Sequence, residues 1–153
     1  MNVITLGTMD LFHAGHLILL QRCRKLAGDE GKVIVGLNTD EFIFKYKGKY
    51  PIMNFKERYQ MLSLLSEVDY IIPNDQPDGT IKDVVLETEA HLIVIGSDWG
   101  RKDYLKQIGL TWEWLEENNV SLMYVPYTYS VSSTMIKERL CPPSPLPLSA
   151  TTA

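Results

Sequence analysis

Two histidines three residues apart, His13 and His16, stand where an apolar run ends in Gly7 and a helical pattern begins. The first turn of a helix leaves backbone N–H groups unpaired and carries the positive end of the helix dipole, so this junction suits an anion. Residues i and i+3 share one helix face, so both imidazoles can address one ligand. Lys45, Lys47 and Lys49 crowd a second short stretch, an arrangement suited to a small anion. Zinc chemistry is disfavoured, because a structural site needs four ligands and only two cluster here. The third histidine, His91, stands alone before an apolar run and reads as structural or solvent-facing.

The elements that must position these groups follow from hydrophobic periodicity. Val3–Leu6, Val33–Leu37, Val68–Ile72, Leu92–Ile95 and Leu122–Val125 are short apolar runs. Several are continuous rather than alternating, as in strands buried on both faces of a parallel sheet. Helical patterns separate them. One runs from about His16 to Ala27, with Leu19, Leu20, Cys23 and Leu26 on one face. A second begins at Asn54, with Glu57 completing a capping box and Tyr59, Met61, Leu62 and Leu65 following. Thr80 starts a short helix through Leu86, part of 101–119 is helical, and Ser133 or Thr134 opens a last helix to Leu140.

Strands alternating with helices predict an α/β fold, a Rossmann-like doubly wound five-stranded parallel sheet in a single domain over residues 1–140. Ligands of such sheets bind at the carboxyl ends of the strands. The histidine pair, the segment Gly96-Ser97-Asp98-Trp99 and the segment Tyr127–Thr134 all follow strands and so share one sheet edge. Residues 141–153 carry four prolines over Cys141–Leu148 and form a separate Pro-rich tail with no means of packing a core.

Composition bounds the function. The chain has 153 residues, 45% of them hydrophobic, with a net charge of −4. That balance argues against nucleic-acid binding, which needs a basic footprint. No apolar run reaches membrane-spanning length. The chain enters a strand at once, with no signal-peptide pattern, and its two cysteines make no disulfide framework. A cytoplasmic setting is expected.

The motif His13-Ala14-Gly15-His16 matches the HxGH signature of the nucleotidyltransferase superfamily. From Val3 to about Leu140 the chain resembles the small cytidylyltransferases of the glycerol-3-phosphate cytidylyltransferase type. The resemblance is carried by Gly7–His16, Asn38-Thr39-Asp40-Glu41-Phe42, Gly96-Ser97-Asp98-Trp99 and Ser130–Lys137, in the family's order. It implies transfer of CMP from CTP to a small alcohol phosphate, giving a CDP-alcohol and pyrophosphate, with Mg²⁺ accompanying the triphosphate and a homodimer as the assembly.

It also implies roles. His13 and His16 contact the triphosphate and the developing charge. Lys47, with Lys49, belongs to a loop that closes over the phosphates, and Lys45 is a nearby candidate. Thr8, Met9, Gly15, Asp98, Trp99, Thr128, Ser132 and Ser133 fall at nucleotide-binding positions. Asp10 is a candidate for ligand or Mg²⁺ and equally for capping the first turn. The chain departs from the pattern at Ser66 and Tyr127, where the family carries phosphate-holding arginines, and at Ser130, where it usually carries glycine. Arg58, Arg101 and Lys102 are the candidates to supply the missing charge. The rival readings are adenylyl transfer from ATP on the same scaffold and a nucleotide-binding relic of weak activity.

Overall fold

Apolar runs too short to fold alone pair here into one parallel sheet. The computed structural model describes residues 1–141, without the side chains of Trp99 and Arg101; the Pro-rich tail beyond Cys141 lies outside the described residues. Five strands, β1 (Val3–Gly7), β2 (Val33–Asn38), β3 (Tyr70–Asn74), β4 (Leu92–Gly96) and β5 (Ser121–Val125), lie in the order β3-β2-β1-β4-β5. All pairings are parallel. The sheet is parallel and doubly wound, as expected, and its strand order is Rossmann-like.

Alternation along each strand sends its residues to two cores. Ile4, Leu6, Ile34, Ile93 and Ile95 pack on one face against α4 (Lys82–Glu87), α5 (Tyr104–Gln107) and α6 (Trp112–Glu117). Val3, Val33, Val35, Leu37 and Val94 pack on the other, against α1 (Ala14–Ala27) and α3 (Phe55–Ser63). Cys23 is buried there as an ordinary core residue, and burial raises its thiol pKa to about 12.

β1 and β4 are adjacent although most of the chain lies between them. They pair only over Val3–Leu92 and Ile4–Ile93, whereas β1 and β2 pair along five residues. The strand order reverses at this seam, which is where an open α/β sheet leaves a crevice.

Of the boundaries that differ from the sequence reading, three bear on the site. α1 begins at Ala14, because the His13 side chain itself caps it. β3 runs through Pro73 to Asn74; proline is tolerated because β3 is an edge strand and Pro73 pairs only with Leu37 of β2. The lysine stretch after β2 is a helix, α2 (Asp40–Lys47), rather than a loop. Thr39 caps it through the Phe42 N–H, and Gly48, at φ 72°, ψ 11°, ends it in the left-handed conformation that glycine adopts without steric penalty. The last helix, α7 (Ser133–Leu140), is capped by Ser132. His91 faces solvent, and its Nδ1 accepts from the Asn2 N–H at 3.2 Å.

The core at the seam predicts a clear loss on truncation. Ile4 is fully buried between Ile34 and Ile93. Ile4→Ala is expected to destabilise the fold by roughly 2–5 kcal/mol, read as a lower urea midpoint with an unchanged slope.

Candidate active site

The β1–α1 turn places the histidines by an unusual cap. The Gly15 N–H donates to His13 Nδ1 at 3.1 Å, and the His13 N–H donates to His16 Nδ1 at 3.3 Å. This is a capping box in which both side chains are imidazoles. Because each Nδ1 accepts a backbone hydrogen bond, the neutral rings carry their proton on Nε2. The rings stack with centroids 3.8 Å apart. Burial lowers the His13 pKa. Burial, and then the neighbouring His13, bring His16 down to about 3. At neutral pH the site therefore presents two uncharged N–H donors rather than two cations. Gly15 leaves no room for a side chain, since a Cβ there would lie 2.9 Å from His13 Cε1.

The turn that delivers the pair is held from outside. Met9 and Leu11 adopt positive φ (53° and 47°), unusual for non-glycine residues. Met9 is fixed by burying its side chain among Leu20, Val35, Leu37 and Leu62. Asp10 between them is 4% exposed. It does not cap α1; its carboxylate accepts from the Ile52 and Met53 N–H groups at 2.8 and 2.9 Å and pairs with Lys137 Nζ at 3.5 Å. Burial pushes the Asp10 pKa up, but those N–H groups and Lys137 outweigh it and leave the carboxyl below its ordinary value. Ser133 Oγ donates to the Asp10 carbonyl at 2.9 Å, tying α7 to the same turn.

Arg58 is the main correction to the sequence reading. It is closed off from solvent rather than open to a ligand as a phosphate clamp would be. Its guanidinium is fully buried. It donates to the carbonyls of Met53 (2.9 Å) and Thr8 (2.7 Å) and to the Asp40 carboxylate (2.6 Å). Asp40 in turn accepts from the Phe55 N–H. One side chain thus fastens the β1 turn, the start of α2 and the entry to α3.

A cleft of about 590 Å³ opens over the seam at the carboxyl ends of the strands. His13, His16, Thr8, Met9, Asp10 and Gly15 line it from the β1 turn, and Lys47 and Lys49 from the end of α2. Asp98 lines it from the single 3-10 turn after β4 (Ser97–Arg101), and Thr128, Ser132 and Ser133 from the β5–α7 connection. Trp99, the remaining expected contact, has a side chain outside the described residues, as has Arg101. Lys45 is not among the lining residues. Tyr127 does line the cleft, in the position where the resemblance places an arginine. Its hydroxyl pKa is raised by burial, then by Asp98 and Tyr129. Ser66 is exposed and bonds its neighbour Glu67, outside the cleft.

Lys102 and Lys137 also line the cleft. Lys47 is exposed as a residue, yet its pKa lies below the ordinary value. Partial desolvation at the cleft lowers it first, and the Lys137 charge next. Lys137 was legible only indirectly: once Ser133 opens a helix, i+4 spacing sets Lys137 on the same face. Asn74 and Gln76, also lining residues, gave no sequence signal, because they look like ordinary turn residues after an edge strand.

Among the described residues no group of three or more His, Cys, Asp or Glu is arranged to hold a metal ion. Asp10 is already committed to two N–H groups and a lysine. The donor set therefore fits a cation carried by a ligand's own phosphates better than one gripped by the protein. No helix among the described residues is long and apolar enough to cross a membrane.

Comparison with known proteins agrees with this geometry. The family model described as cytidylyltransferase-like matches residues 4–139. The chain is 38% identical to glycerol-3-phosphate cytidylyltransferase of Bacillus spizizenii, over 90% of this chain and 95% of that one. It is 36% identical to the protein of the same name from Staphylococcus aureus, over 91% and 94%. A protein named FAD synthase from Korarchaeum cryptofilum is 29% identical over 91% and 90%. Among solved structures, a lipopolysaccharide core biosynthesis protein from Thermoplasma volcanium shares the fold, with a TM-score of 0.59 at 23% identity over 84% of this chain and 98% of that one.

Two outcomes follow from these side chains. Arg58→Met strips the half-buried Asp40 of its partner and the Met53 and Thr8 carbonyls of a donor, and is expected to lower stability by roughly 1.5–3 kcal/mol in chemical denaturation. For His16, the folded pKa near 3 lies below the ordinary 6.5. Between those values the unfolded chain binds a proton that the folded chain does not, so stability falls as pH drops through that window. The slope reaches at most roughly 1.4 kcal/mol per pH unit. His16→Gln keeps an acceptor for the His13 N–H and should flatten a urea-midpoint profile between pH 4 and about 6.5.

Proposed function

The chain belongs to the cytidylyltransferase-like family, and we propose that this nucleotidyltransferase moves CMP from CTP to a small alcohol phosphate of the glycerol 3-phosphate kind, releasing pyrophosphate. What carries the reading is the pair of neutral imidazoles with both Nδ1 atoms occupied, facing a cleft that also holds Lys47, Lys49, Lys102 and Lys137. The identity with the two proteins named glycerol-3-phosphate cytidylyltransferase supports the choice of donor and acceptor.

In this mechanism an oxygen of the acceptor phosphate attacks the α-phosphorus of CTP. The new O–P bond forms as the bond to the bridging oxygen breaks, and that oxygen leaves with pyrophosphate. The nucleophile is already an anion, so no strong base is required. Catalysis comes from alignment and from stabilising charge on the non-bridging and leaving oxygens. His13 and His16 donate from Nε2 to those oxygens. Their neutrality is useful: a donor without full charge does not overbind the ground-state triphosphate. Gly15 lets a phosphate approach the first turn of α1, where the helix dipole adds to the same field. Lys47 and Lys49 cover the phosphates from either side of Gly48. Thr8, Met9, Asp98, Trp99, Thr128, Ser132 and Ser133 hold the nucleotide. Asp10 contributes by fixing Ile52 and Met53 rather than by touching substrate. No described carboxylates are arranged to grip a Mg²⁺ ion; one carried by the triphosphate would neutralise part of its charge. We place the enzyme in the cytoplasm, as a homodimer.

Adenylyl transfer from ATP is the second reading, and the likeness to a protein named FAD synthase speaks for it. The two separate in one assay. Pyrophosphate release is measured with Mg²⁺, CTP or ATP, and glycerol 3-phosphate, ribitol 5-phosphate, phosphocholine or phosphoethanolamine. Release with CTP and one acceptor is the expected result, and release with ATP alone overturns the cytidylyl reading. No release with any pair, beside a clear rise in melting temperature with CTP, identifies a nucleotide binder that has lost turnover. His16→Ala is expected to cut turnover roughly a hundredfold or more with the fold retained. Lys47→Ala should lower kcat more than it weakens CTP binding; equal losses in the rate assay and in a binding titration would contradict its role over the reacting phosphates.

A further inference from the structure

The cleft does not end at the histidines. It continues along α1, where Gly15, Ile18 and Arg22 all line it. Their intervals of three and four residues set them on one helix face. Val125 ends β5, and Pro126 follows it into the connection to α7; both line the cleft as well. Two contacts lay that connection against α1. Arg22 Nη1 donates to the Pro126 carbonyl, and Thr128 sits so close to Gly15 that a Cβ on the glycine would lie 3.7 Å from its Cβ. From Gly15 to Arg22 is seven residues, about 10 Å along the helix axis. The result is a groove with polar ends and an apolar middle. The imidazoles stand at one end, Ile18 and Val125 line the middle, and Arg22 closes the other end.

The mechanism above gives Arg22 no task. The residue is half-buried, with part of its surface open to the cleft. Beyond the bond to Pro126, no hydrogen bond or ion pair engages it among the described residues. A guanidinium carries five N–H donors, and a carbonyl oxygen has two lone pairs. Arg22 and Pro126 therefore keep donors and an acceptor side by side after bonding one another. A phosphate matches this pair poorly, because the carbonyl oxygen would face its negative oxygens. A flat group with apolar faces, and with an acceptor next to a donor on its edge, matches it well. Cytosine has that edge, with the N3 acceptor beside the N4 amino donor.

Building on the cytidylyl reading, we propose that Arg22 and the Pro126 carbonyl read the edge of the donor's base, so that Arg22 selects CTP over UTP. Arg22 donates to cytosine N3, and the Pro126 carbonyl accepts from the N4 amino group. Uracil reverses both contacts. Its N3–H opposes the guanidinium N–H groups, and its O4 opposes the carbonyl oxygen, so polar groups lose water without gaining partners. The length of the groove suits a nucleotide whose α-phosphate stands at the histidine pair.

The test measures kcat/KM for CTP and for UTP, with the full chain, Mg²⁺ and saturating glycerol 3-phosphate. The wild type is expected to favour CTP by at least about tenfold, since a site built to hydrogen-bond one edge rejects an edge that cannot pair. Arg22→Met should bring the two nucleotides within about threefold of each other, through a higher KM for CTP at little-changed kcat. KM for glycerol 3-phosphate should not move, which separates lost base reading from general damage to the fold. Arg22→Lys keeps a cation and a donor for Pro126 but not the planar fork, so it should lose the preference and keep the melting temperature. A ratio near one in the wild type, or a full ratio in either variant, overturns the assignment, while turnover with CTP leaves the cytidylyl reading standing. Turnover with ATP alone overturns both. If no nucleotide supports turnover, the rise in melting temperature with CTP against UTP reads the same preference. A larger rise with CTP that Arg22→Met abolishes supports the assignment; equal rises, no rise with either, or a preference unchanged in Arg22→Met overturn it.

Discussion

A buried guanidinium sets the geometry on which the site depends. Arg58 sits where the β1 turn, the start of α2 and the entry to α3 meet, and it bonds a group on each. A charge out of water is tolerable only when its donors are matched, and three of its nitrogens are. The network extends through Asp40 to the Phe55 N–H, while Asp10 holds the preceding residues Ile52 and Met53. The segment between α2 and α3 is therefore clasped from both sides. Thr8 cannot shift independently of the start of α2, because Arg58 holds both. A strained turn bearing two positive-φ side chains persists for this reason.

The electrostatics of the cleft oppose those of the whole chain. The protein carries a net charge of −4, yet Lys47, Lys49, Lys102 and Lys137 gather around one opening. The effect of Lys137 on Lys47 shows that the charges are close enough to strain one another. The histidines add hydrogen-bond donors without adding to that repulsion. The arrangement separates long-range attraction, supplied by lysines, from short-range orientation, supplied by neutral imidazoles.

The five-stranded parallel sheet and the cleft edge were legible in the sequence because burial on two faces leaves continuous apolar runs and because the connections are right-handed. The histidine pair was legible as an anion site for a similarly local reason. Reading failed where a residue's role depends on partners far along the chain. Arg58 looks like a surface cation on a helix until Thr8, fifty residues away, is seen to be its partner. Asp10 looks like a cap or a ligand until Ile52 and Met53 arrive beside it. The lysine stretch looked like a loop because Phe42, Ile43 and Phe44 carry too short a pattern to announce α2. Pro73 hid the end of β3, and with it Asn74. Tyr127 and Ser66 were recognisable as departures, and the structure separates them: one remains in the cleft, the other is outside it.

The seam between β1 and β4 has a consequence for the chain as a polymer. Two residue pairs at one end of these strands join segments separated by roughly ninety residues, a closure with a large entropic cost. The opposite ends of the same strands border the cleft. A ligand that touches the β1 turn and the segments after β4 and β5 bridges the N-terminal and C-terminal halves across that gap. It acts as a reversible staple, doing for the open end of the seam what a cross-link would do covalently. Substrate occupancy and cooperativity of folding are thereby joined at one place in the sheet.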